Sequence, residues 1–203
     1  MTKVAVIDYG AGNLSSVCKA VAFLGHTVSV AASPGGLEGA SHVILPGVGA
    51  FGDGMAALRR TGFDVAIPEI IRAGKPFLGI CLGMQLLFEE SHELGRHKGL
   101  GIFPGAVEPM RSETLKIPHM GWNRIAGQDD ILYEDGSGEA VVYFVHSFFR
   151  TTDGLPEDEL AAVCDYVRPF AAAVRRGSCL ATQFHPEKSG DVGMAMLRRF
   201  LLC

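Results

Sequence analysis

The sequence predicts an α/β protein with an open, mixed and mainly parallel sheet that carries helices on both faces. In the first 90 residues, short continuous apolar runs alternate with segments whose apolar residues recur at helical spacing. Glycine or proline follows most of these runs, as is typical where strands and helices end in tight turns. From about residue 99, β-rich runs follow one another without helical segments between them. The alternation indicates βαβ units, and the later runs indicate strands that join the sheet directly.

The first predicted element is a strand at residues 4–7, a continuous apolar run of the kind that a parallel sheet buries on both faces. A helix follows from Leu14, because apolar residues recur at i, i+3, i+4 and i+7, and Gly25 ends it. The other elements predicted for the first half are strands at 27–30, 42–45 and 76–80, helical segments over 55–73 with a turn near Gly62, and a helix from Leu82 to about Glu90.

The second half is predicted to add further strands and one closing helix. The β-rich runs lie at 141–145, 161–163, 171–174 and 179–184, and the helix begins near Val192. No linker rich in proline and serine and no internal repeat interrupts the sequence. We therefore expect one domain over residues 1–203.

Charge, hydropathy and cysteine content argue against several classes of protein. With 18 basic and 22 acidic residues the net charge is -4, so we expect no binding to nucleic acid or to an anionic membrane. No run of 18 apolar residues occurs, and the first apolar run is too short for a secretion signal. Five cysteines without a C-x-x-C pair fit neither a disulfide framework nor a zinc ribbon. We expect a cytoplasmic protein without a bound metal.

One of these cysteines lies between two glycines, in Gly79-Ile80-Cys81-Leu82-Gly83, where an apolar strand turns into a helix. This is the arrangement of a nucleophile elbow, in which small neighbours let the strand and the helix approach each other. The start of a helix favours thiolate over thiol, and backbone N–H groups from Leu82 onward can face a developing oxyanion. Taken alone, Cys81 fits a small buried apolar residue equally well.

A base and a group to orient it are available in His185-Pro186-Glu187. In an extended segment residues i and i+2 share a face, so the histidine and the glutamate can point the same way. The preceding run brings them to the carboxyl edge of the sheet, where open α/β folds place their sites. Alone, the motif is more typical of an ordinary loop, and the elbow cysteine gives it weight.

A glycine-rich segment, Pro46-Gly47-Val48-Gly49, follows the third predicted strand. It fits a plain turn, an anion-binding nest or a second source of oxyanion donors. It lacks the lysine and the serine or threonine of a P-loop, so phosphate binding is not expected.

These motifs, with Met84-Gln85 after the cysteine, resemble the class I (triad) glutamine amidotransferases, and the likeness covers nearly the whole chain. The resemblance implies a flavodoxin-like fold of three layers. Within that family the chain is most similar to the glutaminase subunits of imidazole glycerol phosphate synthases. The segments that carry this closer likeness lie at residues 8–14, 46–51, 118–123 and 143–147.

The resemblance implies a glutaminase that hydrolyses glutamine to glutamate and ammonia without a cofactor. It makes Cys81 the nucleophile, His185 the proton carrier and Glu187 the residue that orients His185. The implied oxyanion hole consists of Leu82, Val48 and Gly49, and the implied glutamine contacts are Gly47, Gln85, His146 and Ser147. The ammonia passes to a separate (β/α)8-barrel cyclase subunit in a heterodimer. The residues implied at that interface and passage are Asn13, Met120, Trp122 and Lys188.

Other interpretations stay open at this point. Trp122 also fits a core position, and His119 and His146 also fit structural histidines. A cysteine peptidase could use the same elbow, although Met84-Gln85 matches the glutaminase pattern better. A nucleotide-binding module fits less well, because Ser15 stands where the third glycine of the fingerprint belongs and the second strand ends without an acidic residue. A non-catalytic subunit would not need the three residues of the implied triad.

Overall fold

The computed structural model describes residues 2–10, 12–133 and 138–203. The described helices are α1 (Leu14–Phe23), α2 (Phe51–Thr61), α3 (Phe63–Arg72), α4 (Leu82–Gln85) and α5 (Gly190–Phe200). The described strands are β1 (Lys3–Ile7), β2 (Thr27–Ala31), β3 (His42–Leu45), β4 (Phe77–Ile80), β5 (Phe88–Ser91), β6 (His97–Lys98), β7 (Phe103–Pro109), β8 (His119–Gly127), β9 (Glu139–His146), β10 (Phe148–Phe149), β11 (Leu160–Asp165), β12 (Pro169–Arg176) and β13 (Cys179–Thr182). Three short 3-10 turns lie at Pro34–Leu37, Glu157–Glu159 and Pro186–Lys188.

The main sheet has nine strands in the order β2-β1-β3-β4-β13-β12-β11-β8-β9. The first five strands pair in parallel. The last four join them antiparallel, as short connections without crossover helices require. A second sheet of four strands has the order β10-β7-β5-β6. The predicted class, a mixed and mainly parallel sheet with helices, is confirmed.

Alternate residues of β1 point to opposite faces of the main sheet, and both faces are buried. Val4 and Val6 belong to one hydrophobic core, which also contains residues of α1 and α5. Ala5 and Ile7 belong to a second core, which also contains residues of α2 and α3. A strand buried on both faces carries a continuous apolar run, and this is the pattern seen in the sequence. The main sheet is the middle of three layers.

The helical region after β3 consists of two helices that meet at Gly62. This glycine has a φ of +80°, in the left-handed region, and its N–H donates to the Arg59 and Leu58 carbonyls at the end of α2. Glycine adopts this conformation without a steric penalty, so it ends one helix and begins the next. The predicted turn at Gly62 is confirmed, although α2 begins at Phe51 rather than at residue 55.

The helix predicted from Leu82 to Glu90 is wrong beyond its first turn. Residues 86–88 are fully buried, and the chain then enters β5. The backbone here bonds to a distant segment, because the Leu86 carbonyl accepts from the Leu100 N–H and the Leu87 carbonyl accepts from the Ile102 and Phe103 N–H groups. These long-range hydrogen bonds replace those of a continued helix. A short apolar run fits a buried strand as well as a helix, so its spacing could not decide.

The other boundaries differ from the predictions by a few residues. The run at 179–184 forms a strand only to Thr182, and α5 begins at Gly190 instead of near Val192. None of the helices in the described ranges reaches the length and apolar content that crossing a bilayer requires. The single domain over residues 1–203 stays a prediction.

Candidate active site

Cys81 lies in a strained turn between β4 and α4. Its φ of +56° and ψ of -109° are costly for a residue with a side chain, and such strain is concentrated at functional sites. The surroundings hold this conformation, because the Cys81 N–H donates to the Thr182 carbonyl at 2.7 Å. A side chain on Gly83 would collide with the Leu45 carbonyl, and one on Gly79 would lie 3.0 Å from the Gly83 carbonyl oxygen. The two glycines therefore permit the elbow that the sequence predicts.

His185 and Glu187 form a buried pair. His185 Nδ1 lies 2.8 Å from Glu187 Oε1, and both side chains are 2% exposed. The extended segment predicted for these residues is wrong, because Pro186–Lys188 forms a 3-10 turn that brings the carboxylate back to the ring. The turn is held by Ser189, whose hydroxyl donates to the His185 carbonyl at 2.7 Å. Since a carboxylate accepts at Nδ1, this nitrogen carries the proton and Nε2 is left for chemistry.

The Cys81 sulfur is the neighbour of His185 that matters most for its charge. No described atom forms a geometrically complete hydrogen bond with the buried Nε2. Burial lowers the pKa of His185, but the Cys81 sulfur and the Glu187 carboxylate outweigh burial and raise this pKa to about 9. A protonated imidazole beside a cysteine sulfur is the arrangement that activates a thiol nucleophile.

A cavity of about 310 Å³ opens over Cys81. Seven of the residues named from the sequence line it: Val48, Gly49, Cys81, Leu82, Gln85, His146 and Ser147. Gly47 lies behind the wall instead, where a side chain would collide with the Tyr9 hydroxyl and would lie 2.9 Å from the Leu82 Cβ. The volume is at the lower end of the range for small-molecule pockets and suits a compact ligand.

Comparison with known proteins gives the family. Residues 5–203 match the sequence profile of the family described as glutamine amidotransferase class-I. The chain belongs to the class-I glutamine amidotransferase family. This membership confirms the enzyme class predicted from the sequence and argues against the peptidase and nucleotide-binding alternatives.

Among relatives of this amidotransferase are HisH subunits of imidazole glycerol phosphate synthase. The subunit of Geobacter sulfurreducens is 46% identical over 98% of both chains, and that of Syntrophotalea carbinolica is 47% identical over 97% of this chain and 98% of its own. The imidazole glycerol phosphate synthase hisHF of Arabidopsis thaliana is 44% identical over 98% of this chain, which spans 34% of that longer protein. The closer likeness predicted from the sequence is confirmed.

Solved structures support the fold of the amidotransferase. The structure titled PurLQS from Thermotoga maritima superposes with a TM-score of 0.77 at 19% identity and covers 100% of this chain and 99% of its own. A structure titled glutamine amidotransferase superposes with a TM-score of 0.74 at 22% identity and covers 98% and 96%. At these identities the likeness shows the fold alone.

His119 and His146 form a buried chain of hydrogen bonds at the cavity wall of the amidotransferase. Asn123 Nδ2 donates to His119 Nε2 at 3.2 Å, so His119 Nδ1 carries the proton and donates to His146 Nε2 at 3.0 Å. His146 Nδ1 then donates to the Phe148 carbonyl at 2.8 Å. Every ring nitrogen is satisfied, which agrees with the structural interpretation of both histidines. His146 also lines the cavity.

The residues predicted to face a partner subunit are exposed on the amidotransferase. Met120 and Trp122 are each 58% exposed, so the core interpretation of Trp122 is wrong. A side chain on Gly190 would lie 3.8 Å from the Trp122 ring, and Gly190 comes two residues after the exposed Lys188, which ends the 3-10 turn. Asn13 is exposed at the start of α1, which packs against the same turn. The role of these four residues at a partner interface stays a prediction.

Three residues of the site were missed by sequence reasoning. Glu93 lines the cavity and accepts from the Phe51 N–H at 2.6 Å, at the start of α2. The buried Tyr9 follows β1, and its hydroxyl has no hydrogen-bond partner among the described residues. Gln183 contacts both Gln85 and Cys81. Only for Gln183 did the sequence contain a usable signal. Gln183 lies two residues before His185, and residues at this spacing share a face of an extended segment.

Proposed function

We propose that this chain acts as the glutaminase subunit of an imidazole glycerol phosphate synthase, with Cys81 as nucleophile. The observation that carries the proposal is the strained Cys81 elbow beside the buried His185–Glu187 pair, at the floor of a cavity of about 310 Å³. Identity of 46–47% to HisH subunits over nearly full length supports the assignment.

The reaction begins when the Cys81 thiol transfers its proton to His185. With Nδ1 held by Glu187, the ring takes this proton at Nε2, and the raised pKa of His185 favours the resulting ion pair. The thiolate attacks the side-chain amide carbon of glutamine, and the carbonyl becomes an oxyanion. His185 then returns the proton to the leaving nitrogen, so ammonia departs and a thioester remains. Water attacks the thioester with His185 as base, which releases glutamate and restores the thiol.

The oxyanion is assigned to backbone donors on two sides of the cavity. The N–H of the residue after a nucleophile at an elbow serves this purpose, and here that residue is Leu82. Val48 and Gly49 face the same cavity, and the φ of +108° at Gly49 sets the direction of the peptide between them. Gly47 acts through its backbone, because its Cα is packed against Tyr9 and Leu82.

The cavity wall supplies groups that match free glutamine. Gln85 donates through Nε2 to the Phe148 carbonyl and to Gln183, so its oxygen is the end that can accept from the substrate. The Glu93 carboxylate matches the α-ammonium group of an amino acid. His146 and Ser147 complete the wall. A pocket with these charges favours a free amino acid over a peptide chain.

The ammonia is delivered to a cyclase subunit with a (β/α)8 barrel, in a heterodimer. The surface formed by Asn13, Met120, Trp122 and Lys188 is assigned to this contact, since large apolar residues are exposed there beside the catalytic turn. The relative from Arabidopsis thaliana bears the joint designation hisHF, which supports a linked partner. A cytoplasmic location belongs to the same proposal and is supported by five unpaired cysteines.

The test measures glutamate release from glutamine with and without the cyclase, together with synthesis from added ammonia. Cys81→Ala is expected to abolish glutamine-dependent synthesis and to leave ammonia-dependent synthesis intact. Cys203→Ala, which removes an exposed thiol away from the cavity, is the matched control and should behave as wild type. Glutamine use retained by Cys81→Ala would end the assignment of the nucleophile.

A further inference from the structure

Gln183 is a buried amide that the mechanism above does not use. Its side chain is 1% exposed, and it lies between the end of β13 and His185. The backbone N–H of Gln183 donates to the Ala172 carbonyl at 2.8 Å, so the backbone is fixed as well. A buried primary amide must have partners for both its oxygen and its nitrogen, and here these partners identify which end is which.

The orientation of Gln183 follows from Gln85. The Phe148 carbonyl can only accept, so the end of Gln85 that lies 3.1 Å from it is the NH2 group. The same nitrogen lies 2.9 Å from the Gln183 side chain, which must therefore present its oxygen to Gln85. The NH2 group of Gln183 consequently points the other way, and its Nε2 lies 3.7 Å from Cys81 Sγ. This orientation is set by the hydrogen-bond network.

The sulfur has neighbours that favour opposite protonation states. The Val145 carbonyl lies 3.9 Å from Sγ and can accept from a thiol, whereas it repels a thiolate. The side-chain N–H of Gln183 can donate to the sulfur in either state, but a neutral thiol is a weak acceptor and a thiolate is a strong one. A hydrogen bond to a charged atom is stronger than one between neutral groups, and more so away from water.

We propose that Gln183 donates a hydrogen bond to the Cys81 thiolate and holds it in the position for attack. The inference rests on the proposed role of Cys81 as nucleophile. Gln85 is the link that fixes the donor, because it binds the Gln183 oxygen and leaves the nitrogen to the sulfur. The cavity wall and the nucleophile are thus joined through two side-chain amides.

The test compares Gln183→Met, which keeps the approximate size and removes the donor, with Gln183→Glu, which replaces it by a carboxylate. In complex with the cyclase, kcat for glutamine hydrolysis should fall about 10- to 100-fold in Gln183→Met, as expected for a lost hydrogen bond to a charged atom. KM should change less than kcat, because Gln183 itself does not line the cavity and Gln85 keeps its hydrogen bond to the Phe148 carbonyl. The loss should be larger in Gln183→Glu, because a carboxylate repels the thiolate.

Alkylation of Cys81 by iodoacetamide gives a readout that a merely structural role would not move. The pH at which Cys81 is half as reactive as at its plateau should rise in both variants. The titratable groups near the sulfur or at the cavity are Tyr9, Glu93, His146, His185 and Glu187, and all are kept in these variants. Gln128→Met, the same substitution at an exposed position outside the cavity, is the matched control and should keep the wild-type profile.

A second measurement leaves Gln183 unchanged, in case its variants do not fold. The side-chain amide proton signals of Gln183 should shift in NMR spectra when Cys81→Ala removes the sulfur. A wild-type alkylation profile in the folded Gln183 variants, or amide signals unmoved by Cys81→Ala, would overturn the proposal. If Cys81 itself is not the nucleophile, Cys81→Ala keeps its glutaminase activity, so the two failures are distinguishable.

Discussion

Two pairs of buried side chains, His185 with Glu187 and His119 with His146, lie close together in this molecule. The histidine of the first pair is protonated, and those of the second pair are neutral. His185 is 2% exposed and His146 is 6% exposed, and burial lowers the pKa of both. The pKa of His185 is nevertheless raised to about 9 by the Cys81 sulfur and the Glu187 carboxylate. The pKa of His146 falls to about 3, because burial outweighs the hydrogen bond to the Phe148 carbonyl and the rings of His119 and His185 lower this pKa further.

In these two pairs the partner, and not burial, decides the charge of the histidine. A carboxylate and a sulfur stabilise an imidazolium, so His185 can carry a proton between groups. A second imidazole and a carbonyl leave His146 neutral, with a fixed direction of donation towards Phe148. One pair is suited to chemistry, and the other is suited to holding the shape of the cavity.

Replacing Glu187 by glutamine is expected to have the largest effect, because it removes the charge that distinguishes the two pairs. The pKa of His185 should fall, and an amide NH2 facing Nδ1 would favour the wrong tautomer. Glutamine hydrolysis should fall on the order of 1,000- to 10,000-fold, as for the acidic member of other triads. Glutamate release measures the loss, and ammonia-dependent synthesis by the complex should be retained.

Glu113→Gln, at an exposed position, is the matched control for Glu187→Gln and should leave hydrolysis unchanged. Near-normal turnover in Glu187→Gln would mean that His185 needs no charged partner.

The neutral pair should make stability depend on pH between about 6.5 and 4. The pKa of His119 is lowered to about 4 and that of His146 to about 3, whereas a histidine in an unfolded chain titrates near 6.5. In this window the unfolded chain binds more protons than the folded chain. The free energy of unfolding therefore decreases as the pH is lowered, by at most about 1.4 kcal/mol per pH unit for each histidine. His185 acts elsewhere, since its contribution is complete below about 6.5 and is lost as pH rises through about 9.

Urea unfolding at pH 7, 6 and 5 measures this slope. His119→Gln, which cannot titrate, should lose less stability per pH unit than wild type. Parallel slopes for the two proteins would show that His119 is not held neutral by the fold.

Asn123→Asp gives the neutral pair a charged partner, and it has the smallest expected effect. It places a carboxylate beside His119 as Glu187 stands beside His185, so the pKa of His119 should rise from about 4. NMR titration of the imidazole signals measures the change. Asn13→Asp, at an exposed position, adds the same charge away from the pair and should leave the titration of His119 in place.

Local patterns predicted the elbow at Cys81 and the pairing of His185 with Glu187 better than they predicted the surroundings of these residues. The elbow and the His-Pro-Glu motif are short, and glycine placement and strand order suffice to bring them together. The contacts of Gln183 and of the His119–His146 pair join residues from separate strands and leave no periodic trace in the sequence. The strands β6 and β10 have two residues each, too few for alternation to show. The helix at 82–90 failed because distant backbone partners decided its end.

The order of the main sheet gives the active site its dimensions. The loop of Val48 and Gly49 follows β3, Cys81 follows β4 and His185 follows β13, and these three strands are direct neighbours. Adjacent strands lie about 4.8 Å apart, so the hydrogen bonds of the sheet fix the distances between the segments that follow these strands. The four antiparallel strands and the smaller sheet do not set these distances. An engineer could lengthen loops there while the spacing of the chemistry stays set by three strands.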